Sequence, residues 1–75
     1  MNRAQNTADG FRAIIFKASK RDIKLTVRYR RPQWGDRVFV FTGYPEAGPE
    51  DFDLHYWGDH SLHHRYEDIV SVEAA

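Results

Sequence analysis

Residues 51–73 read DFDLHYW-GDH-SLHHRY-ED-IVSVE, and this stretch decides the fold. Its first and third segments alternate apolar and polar residues, as half-buried strands do, around a short polar turn. A three-residue turn over residues 58–60 would pair Trp57 with Ser61, and it sorts apolar from polar side chains better than a two-residue turn would. We therefore predict a β-hairpin followed by a bend and a closing strand over residues 69–72.

The predicted register gives this hairpin one apolar and one polar face. The face expected to point inward holds Phe52, Leu54, Tyr56, Leu62, His64 and Tyr66. On the outer face, Asp53 would lie opposite Arg65, and His55 would lie opposite His63. His64 is accordingly predicted to be a hydrogen-bonded core histidine.

Four histidines lie close together in this hairpin. They are His55, His60, His63 and His64. Cross-strand neighbours have Cβ atoms about 5 Å apart, so His55 and His63 would be near enough to share a metal ion with Asp53 as a third ligand. The alternative is a polar face with stacked imidazole rings and an Asp53–Arg65 ion pair. We favour the alternative and predict neither a metal nor another cofactor, which leaves these three residues as a weak candidate site.

The N-terminal part of the chain carries the pattern of an amphipathic helix. Its apolar residues recur at i, i+3, i+4 and i+7, which predicts a helix over residues 8–20. Those residues are Phe11, Ile14, Ile15 and Ala18. Asn6 or Thr7 is suited to cap the helix, and Asp9 favours the first turn because of the helix dipole.

Two further strands are predicted between the helix and the hairpin. Residues 23–30 alternate strictly, with Lys and Arg on the polar side, which predicts a half-buried strand with a basic outer face. Residues 38–42 are an unbroken β-branched and aromatic run, which predicts a strand covered on both sides. Gly43, next to Tyr44, indicates a bulge or a bend where the strand changes direction. The prolines and glycine of residues 45–50 predict a loop.

Two short patterns allow a comparison with a known fold. Ile23–Tyr29 has the form I-x-L-x-V-x-Y directly after a helix, and Tyr66–Val72 contains D-I-x-x-V at the chain end. The order of elements over residues 10–73 resembles the Sm-like and SH3-like small barrels, and within them the bacterial YolD-like and WYL-type barrels. The resemblance implies an α+β, mainly β fold, in which an N-terminal helix is followed by a five-stranded antiparallel Sm/SH3-like barrel. Sm-like members form rings, so it also implies self-assembly.

Length and composition limit the class of protein. A chain of 75 residues is one domain at most, and we expect a flexible N-terminus over residues 1–7 and a single barrel domain over residues 8–75. There is no cysteine, which excludes disulfides and Cys-ligated metal sites. No apolar run approaches the ~20 residues that span a bilayer, and residues 1–20 lack the pattern of a signal peptide. We expect a cytoplasmic protein without membrane contact, and the short chain suggests a bacterial or phage origin.

Charge is segregated along the chain although the formal net charge is zero. Residues 1–40 carry ten Lys and Arg against three Asp, whereas residues 41–75 carry Arg65 against eight acidic residues. Intramolecular neutralisation is one interpretation, and a dipolar surface that binds an anion or stacks on copies of itself is the other.

Binding is the function that the sequence favours. No nucleophile lies beside a base with a third orienting group, and a small filled barrel lacks a deep pocket, so we predict no enzyme activity and no small-molecule substrate. Exposed aromatic and basic side chains are typical of interfaces. The predicted contact residues are Lys24, Arg28, Arg30, Arg31, Trp34, Arg37 and Trp57. We predict a small regulatory or adaptor protein that recognises a protein partner and self-associates. The alternative is single-stranded RNA or DNA binding through the basic strand and Trp34.

Overall fold

A computed structural model describes residues 7–75, and it contains one helix followed by five strands. The helix is α1 (Ala8–Arg21), and the strands are β1 (Leu25–Arg30), β2 (Val38–Ala47), β3 (Asp51–Tyr56), β4 (Asp59–Arg65) and β5 (Ile69–Ala74). Short 3₁₀ turns, Pro32–Trp34 and Tyr66–Asp68, connect β1 to β2 and β4 to β5. The predicted α+β, mainly β class is confirmed. The predicted flexibility of the N-terminus falls on residues outside the described range, apart from Thr7.

Helix α1 forms where the apolar spacing predicted it. The Thr7 side chain accepts a hydrogen bond from the backbone N–H of Gly10 at 3.1 Å, which satisfies one of the free donors of the first turn. At the other end, Asp22 adopts a left-handed conformation (φ 54°) and its N–H bonds to the carbonyl of Ala18. Phe11 and Ile15 are buried against the sheet.

All strand pairs are antiparallel, and the sheet order is β4-β3-β2-β1-β5. Strands β4 and β5 are its two edges, so the sheet is open and the predicted closure into a barrel is not confirmed. The sheet nevertheless curls over its own inner face. The ring centres of Tyr29 on β1 and His64 on β4, two strands that are not neighbours in the sheet, lie only 4.1 Å apart. Helix α1 packs against β2 and β5. The core contains Phe11, Ile15, Ala18, Leu25, Val27, Tyr29, Phe52, Leu54, Tyr66 and Ile69.

Strand β2 is longer than predicted and changes partner in its middle. Residues 38–43 pair with β1, and residues 44–47 pair with β3. The predicted loop over residues 45–50 is therefore wrong for its first three residues. Pro45 is tolerated because β2 has left β1 at that point, so its missing N–H interrupts no second ladder.

The first half of β2 is not covered on both sides, as its apolar run predicted. Val38 and Val40 are 46% and 55% exposed, while Phe39 is half-buried on the inner face. The continuous β-branched run therefore produced an exposed apolar strip, since only the inner face of this curled sheet meets the core.

The hairpin of β3 and β4 has a different register from the predicted one. Its turn is the two residues Trp57 and Gly58, both with positive φ, and it pairs Tyr56 with Asp59. A β-bulge then adds one residue to β4, so that Phe52 lies opposite His64. The predicted three-residue turn is wrong. The turn contains two residues, and the extra residue that brings Phe52 opposite His64 is inserted in β4 by the bulge.

The bulge explains why the predicted inner face is largely correct despite the wrong turn. Phe52, Leu54, His64 and Tyr66 are buried, as the alternation predicted. Near the turn the pattern fails, since Tyr56 is 37% exposed. The bulged strand also places His63 in a left-handed conformation (φ 61°).

Candidate functional site

An open cleft lies where the hairpin turn meets the start of β1. It has a volume of about 430 Å³, and we call it the aromatic cleft. Its side chains come from the segment before β1, the partner-switching point of β2, and both strands of the hairpin. They are Lys24, Tyr44, His55, Tyr56, Trp57, Asp59 and His60. Topology therefore assembles this cleft from four separate segments of the chain.

The three aromatic rings of the cleft contact one another and remain accessible. The rings of Tyr44 and Tyr56 lie 6.5 Å apart, and that of Trp57 lies 6.0 Å from Tyr56 at an angle of 82°. The Lys24 ammonium group lies 4.9 Å from the centre of the Tyr56 ring, which is a favourable cation–π distance. The cleft thus combines apolar area with the positive charge of Lys24 over the Tyr56 ring and the negative charge of Asp59.

Trp57 is exceptional in both its exposure and its backbone. Its side chain is 87% exposed, and its φ is 51°. Two-residue turns with positive φ at both positions favour Asn-Gly or Gly-Gly, because a bulky side chain is strained there. The folding of the hairpin therefore does not explain a tryptophan at this position.

A second exposed group lies at the other end of β1, around the turn that leads into β2. We call Arg30, Arg31, Trp34, Arg37 and Phe39 the loop cluster. The Arg31 guanidinium lies 5.7 Å from the Trp34 ring, and that of Arg37 lies 5.4 Å from Phe39. Trp34 packs edge-on against Phe39 at 5.3 Å and is 59% exposed. Arg31 is also anchored, because its Nη2 donates to the carbonyl of Leu62 at 2.6 Å.

The seven predicted contact residues are thus not one surface. Lys24 and Trp57 belong to the aromatic cleft, and the loop cluster lies about 20 Å away, the length of a six-residue strand. Between them, Arg28 donates a hydrogen bond to Glu73 on β5 at 2.8 Å, so the charge of Arg28 is balanced within the molecule. Within residues 7–75, this is the ion pair that joins the basic half of the chain to the acidic half.

Ser61 and His64 form a close pair that resembles a nucleophile and its base. The Ser61 Oγ lies 2.5 Å from His64 Nε2, and the Tyr29 hydroxyl lies 3.0 Å from the same oxygen. The other imidazole nitrogen, Nδ1, faces the Arg31 guanidinium at 3.5 Å, and a guanidinium can only donate. The proton of the neutral ring therefore belongs on Nε2, which donates to Ser61 and cannot accept its proton.

His64 is the buried core histidine that the alternation predicted. Burial, together with the charge of Arg31, lowers the pKa of His64 to about 4. The ring is therefore neutral at physiological pH, which agrees with a structural role in the network of Tyr29, Ser61 and Arg31.

The observed strand register does not place His55 opposite His63, so the predicted group of His55, His63 and Asp53 does not form. His55 lies opposite His60, with ring centres 6.1 Å apart, and His63 lies on the bulge. The backbone N–H of His63 donates to Asp53 at 2.8 Å. Asp53 does not pair with Arg65, whose side chain donates to Glu67 at 3.1 Å.

A different residue joins His55 and Asp53 on the outer face of the sheet. Oxygen or nitrogen atoms of Glu46, Asp53 and His55 all lie within 4.8 Å of one another. Sequence reasoning missed Glu46 because it placed residues 45–50 in a loop. Tyr44, which lines the aromatic cleft, was missed for a related reason, since only the change of partner strand brings it to the hairpin.

Comparison with known proteins found no matching family model, no matching curated protein and no matching solved structure. Among residues 7–75, no helix has the length and apolar character that a membrane crossing requires.

Proposed function

We propose that this protein is a non-catalytic binding module, a small adaptor or regulator that recognises a protein partner through the aromatic cleft. The observation that supports this most strongly is the exposure of Trp57 at a turn position whose left-handed backbone disfavours a bulky side chain. Strained conformations of this kind cost about 1–3 kcal/mol and cluster at functional sites. Tryptophan and tyrosine are also the residue types that dominate interface hot spots.

The chemistry of the cleft favours an extended segment of a partner with apolar side chains and one acidic group. Tyr44, Tyr56 and Trp57 offer apolar surface with polar edges. The Lys24 ammonium lies over Tyr56 and makes no ion pair among residues 7–75, so a carboxylate of the partner would neutralise it. The unpaired edges of β4 and β5 are also suited to self-association, which light scattering would detect.

Trp57→Asn is the substitution that separates binding from folding. Asparagine tolerates the left-handed conformation and is favoured before glycine in this turn, so we expect the unfolding free energy to rise by about 0.5–1 kcal/mol. Loss of the indole should weaken partner binding by about 2 kcal/mol or more, roughly thirtyfold. Thermal unfolding followed by circular dichroism measures the first effect. Titration of the partner, first captured on the immobilised wild-type chain, measures the second.

Trp34→Ala is the matched control, because it removes an exposed tryptophan from the opposite end of β1. The partner should bind this variant as it binds the wild type, at low and at high salt. A partner retained equally by wild type and Trp57→Asn would contradict the proposed role of the cleft. So would a partner lost from Trp34→Ala alone.

The loop cluster supports a second candidate function, the binding of single-stranded nucleic acid. Arg30 and Arg37 lie before and after the exposed Trp34 in the sequence around this turn, and basic and aromatic surfaces of this kind hold a phosphate backbone and stack its bases. The protein-binding role is favoured over it because Arg28 and Arg31 are already engaged with Glu73 and the Leu62 carbonyl.

Titration of mixed-sequence oligonucleotides tests this second function. If the loop cluster binds them, the affinity should fall steeply with salt, because each neutralised phosphate releases a counterion. Arg30→Ser and Arg37→Ser should then each weaken binding and reduce the salt dependence by about one phosphate contact. Binding that does not change between low and moderate salt, or that persists in both variants, would exclude it.

A further inference from the structure

The outer face of β2 and β3 carries three metal-ligating side chains in close register. Glu46 lies directly opposite Asp53 in the β2–β3 pairing, and His55 is two residues beyond Asp53, so all three point to the same side of the sheet. His55 Nε2 lies 3.9 Å from Glu46 Oε1, and the donor atoms of all three fall within 4.8 Å. The geometry of the strands, and not flexible loops, holds them together.

His55 has an unsatisfied nitrogen that points into this group. Its Nε2 atom is shielded from water and has no hydrogen-bond partner among the described residues, and the Glu46 oxygen is too far away for a hydrogen bond. A buried polar atom without a partner is uncommon in proteins and is one indication of a missing ion. Asp53 is oriented as well, since one of its oxygens accepts the His63 N–H at 2.8 Å.

We propose that Glu46, Asp53 and His55 bind one divalent transition-metal ion of the Zn²⁺ class. The imidazole favours zinc over magnesium or calcium, which prefer oxygen ligands alone, and the two carboxylates balance the charge of the ion. Tetrahedral zinc with ligand bonds of about 2.0–2.2 Å needs donor atoms about 3.4 Å apart. The donors therefore need to close by up to about 1.4 Å, which the exposed side chains of Glu46 and His55 achieve by rotation about their side-chain bonds.

Three protein ligands leave one coordination position open. The ring of His60 lies opposite His55 at 6.1 Å, on the same face of the sheet, where it is placed to supply a fourth nitrogen. His55 also lines the aromatic cleft, so the ion would lie at the edge of the surface proposed for partner binding.

Calorimetric titration of the full chain with Zn²⁺ tests this site. We expect saturable binding of one ion per chain with micromolar affinity, weakened about tenfold or more by either Glu46→Gln or His55→Gln. His63→Asn is the matched control, because asparagine tolerates the left-handed backbone of the bulge, and the His63 side chain is not a ligand here. Circular dichroism establishes that each variant is folded before it is titrated.

Several results would overturn the proposal. They are the absence of saturable binding, an affinity unchanged in folded Glu46→Gln and His55→Gln, and a loss of binding in His63→Asn. Trp57→Asn should bind zinc as the wild type does. If the cleft binds its partner but the chain binds no zinc, only the proposed metal site is refuted. If the chain binds zinc but the cleft binds no partner, only the proposed function is refuted.

Discussion

Phe52→Ala is expected to lower the unfolding free energy by about 3–5 kcal/mol, most of the stability of so small a domain. Phe52 is 1% exposed, and its ring stacks on Tyr66 at 5.2 Å and contacts His64 at 5.4 Å. These neighbours come from β4 and from the 3₁₀ turn that follows it. Truncation would leave a cavity between the hairpin and the rest of the core, and tightly packed rings relax into such a cavity only in part.

Urea denaturation followed by circular dichroism measures this effect. Val40→Ala is the matched control, since Val40 is 55% exposed on the same sheet and its truncation should change the unfolding free energy by less than about 0.5 kcal/mol. Equal unfolding midpoints for the two variants would show that the hairpin does not pack into the core as described.

Lowering the pH from about 7 to about 5 is expected to reduce the unfolding free energy by about 2 kcal/mol through His64 alone, and by about 3 kcal/mol at pH 4. Burial and the nearby Arg31 hold the pKa of His64 at about 4, against an ordinary value of 6.5. The unfolded chain therefore takes up the proton first as the pH falls. The stabilising effect of the neutral ring is complete above pH 6.5 and is lost progressively between pH 6.5 and 4.

His64→Gln should remove this part of the pH dependence, because glutamine can still bond to Ser61 but does not titrate. His60→Gln, a change to an exposed histidine in the same strand, should leave it in place. Urea midpoints between pH 5 and 7 compare the three proteins. Proton NMR of the imidazole in the wild type follows the same group directly. A His64 resonance that titrates near 6.5 would contradict the burial described here.

Local patterns predicted the elements of this fold well. The spacing of Phe11, Ile15 and Ala18 predicted α1, and the alternation over residues 23–30 predicted β1, which begins two residues later than predicted. The bend before the last strand is present as the turn Tyr66–Asp68. Each of these features depends on interactions within a few residues, so the sequence around them contains the necessary information.

Pairing was predicted less well because it depends on residues that are distant in sequence. Counting apolar residues selected a three-residue turn, whereas the protein combines a two-residue turn with a bulge at His63. Both arrangements bury Phe52 and His64, so hydrophobic alternation does not distinguish them. Pro45 was read as a loop residue, although a strand that pairs on one side accommodates it.

In the candidate sites, too, features of single residues were predicted, whereas contacts between distant residues were not. Trp57 was predicted to be exposed and to contact a partner; its exposure is confirmed, and the contact stays a prediction. Neither the meeting of Tyr44 with Tyr56 nor that of Glu46 with His55 was predictable, because both depend on β2 passing from β1 to β3.

The sequence by itself determined most of the side chains that face the core, since Leu54 and Tyr66 lie on the inner face in both the predicted and the observed register. Only the tertiary structure decided which outward-facing side chains lie next to one another. The reason is physical. Alternation along a strand records the side on which each residue lies, while its neighbours across the sheet are set by turns, bulges and the change of partner at Gly43.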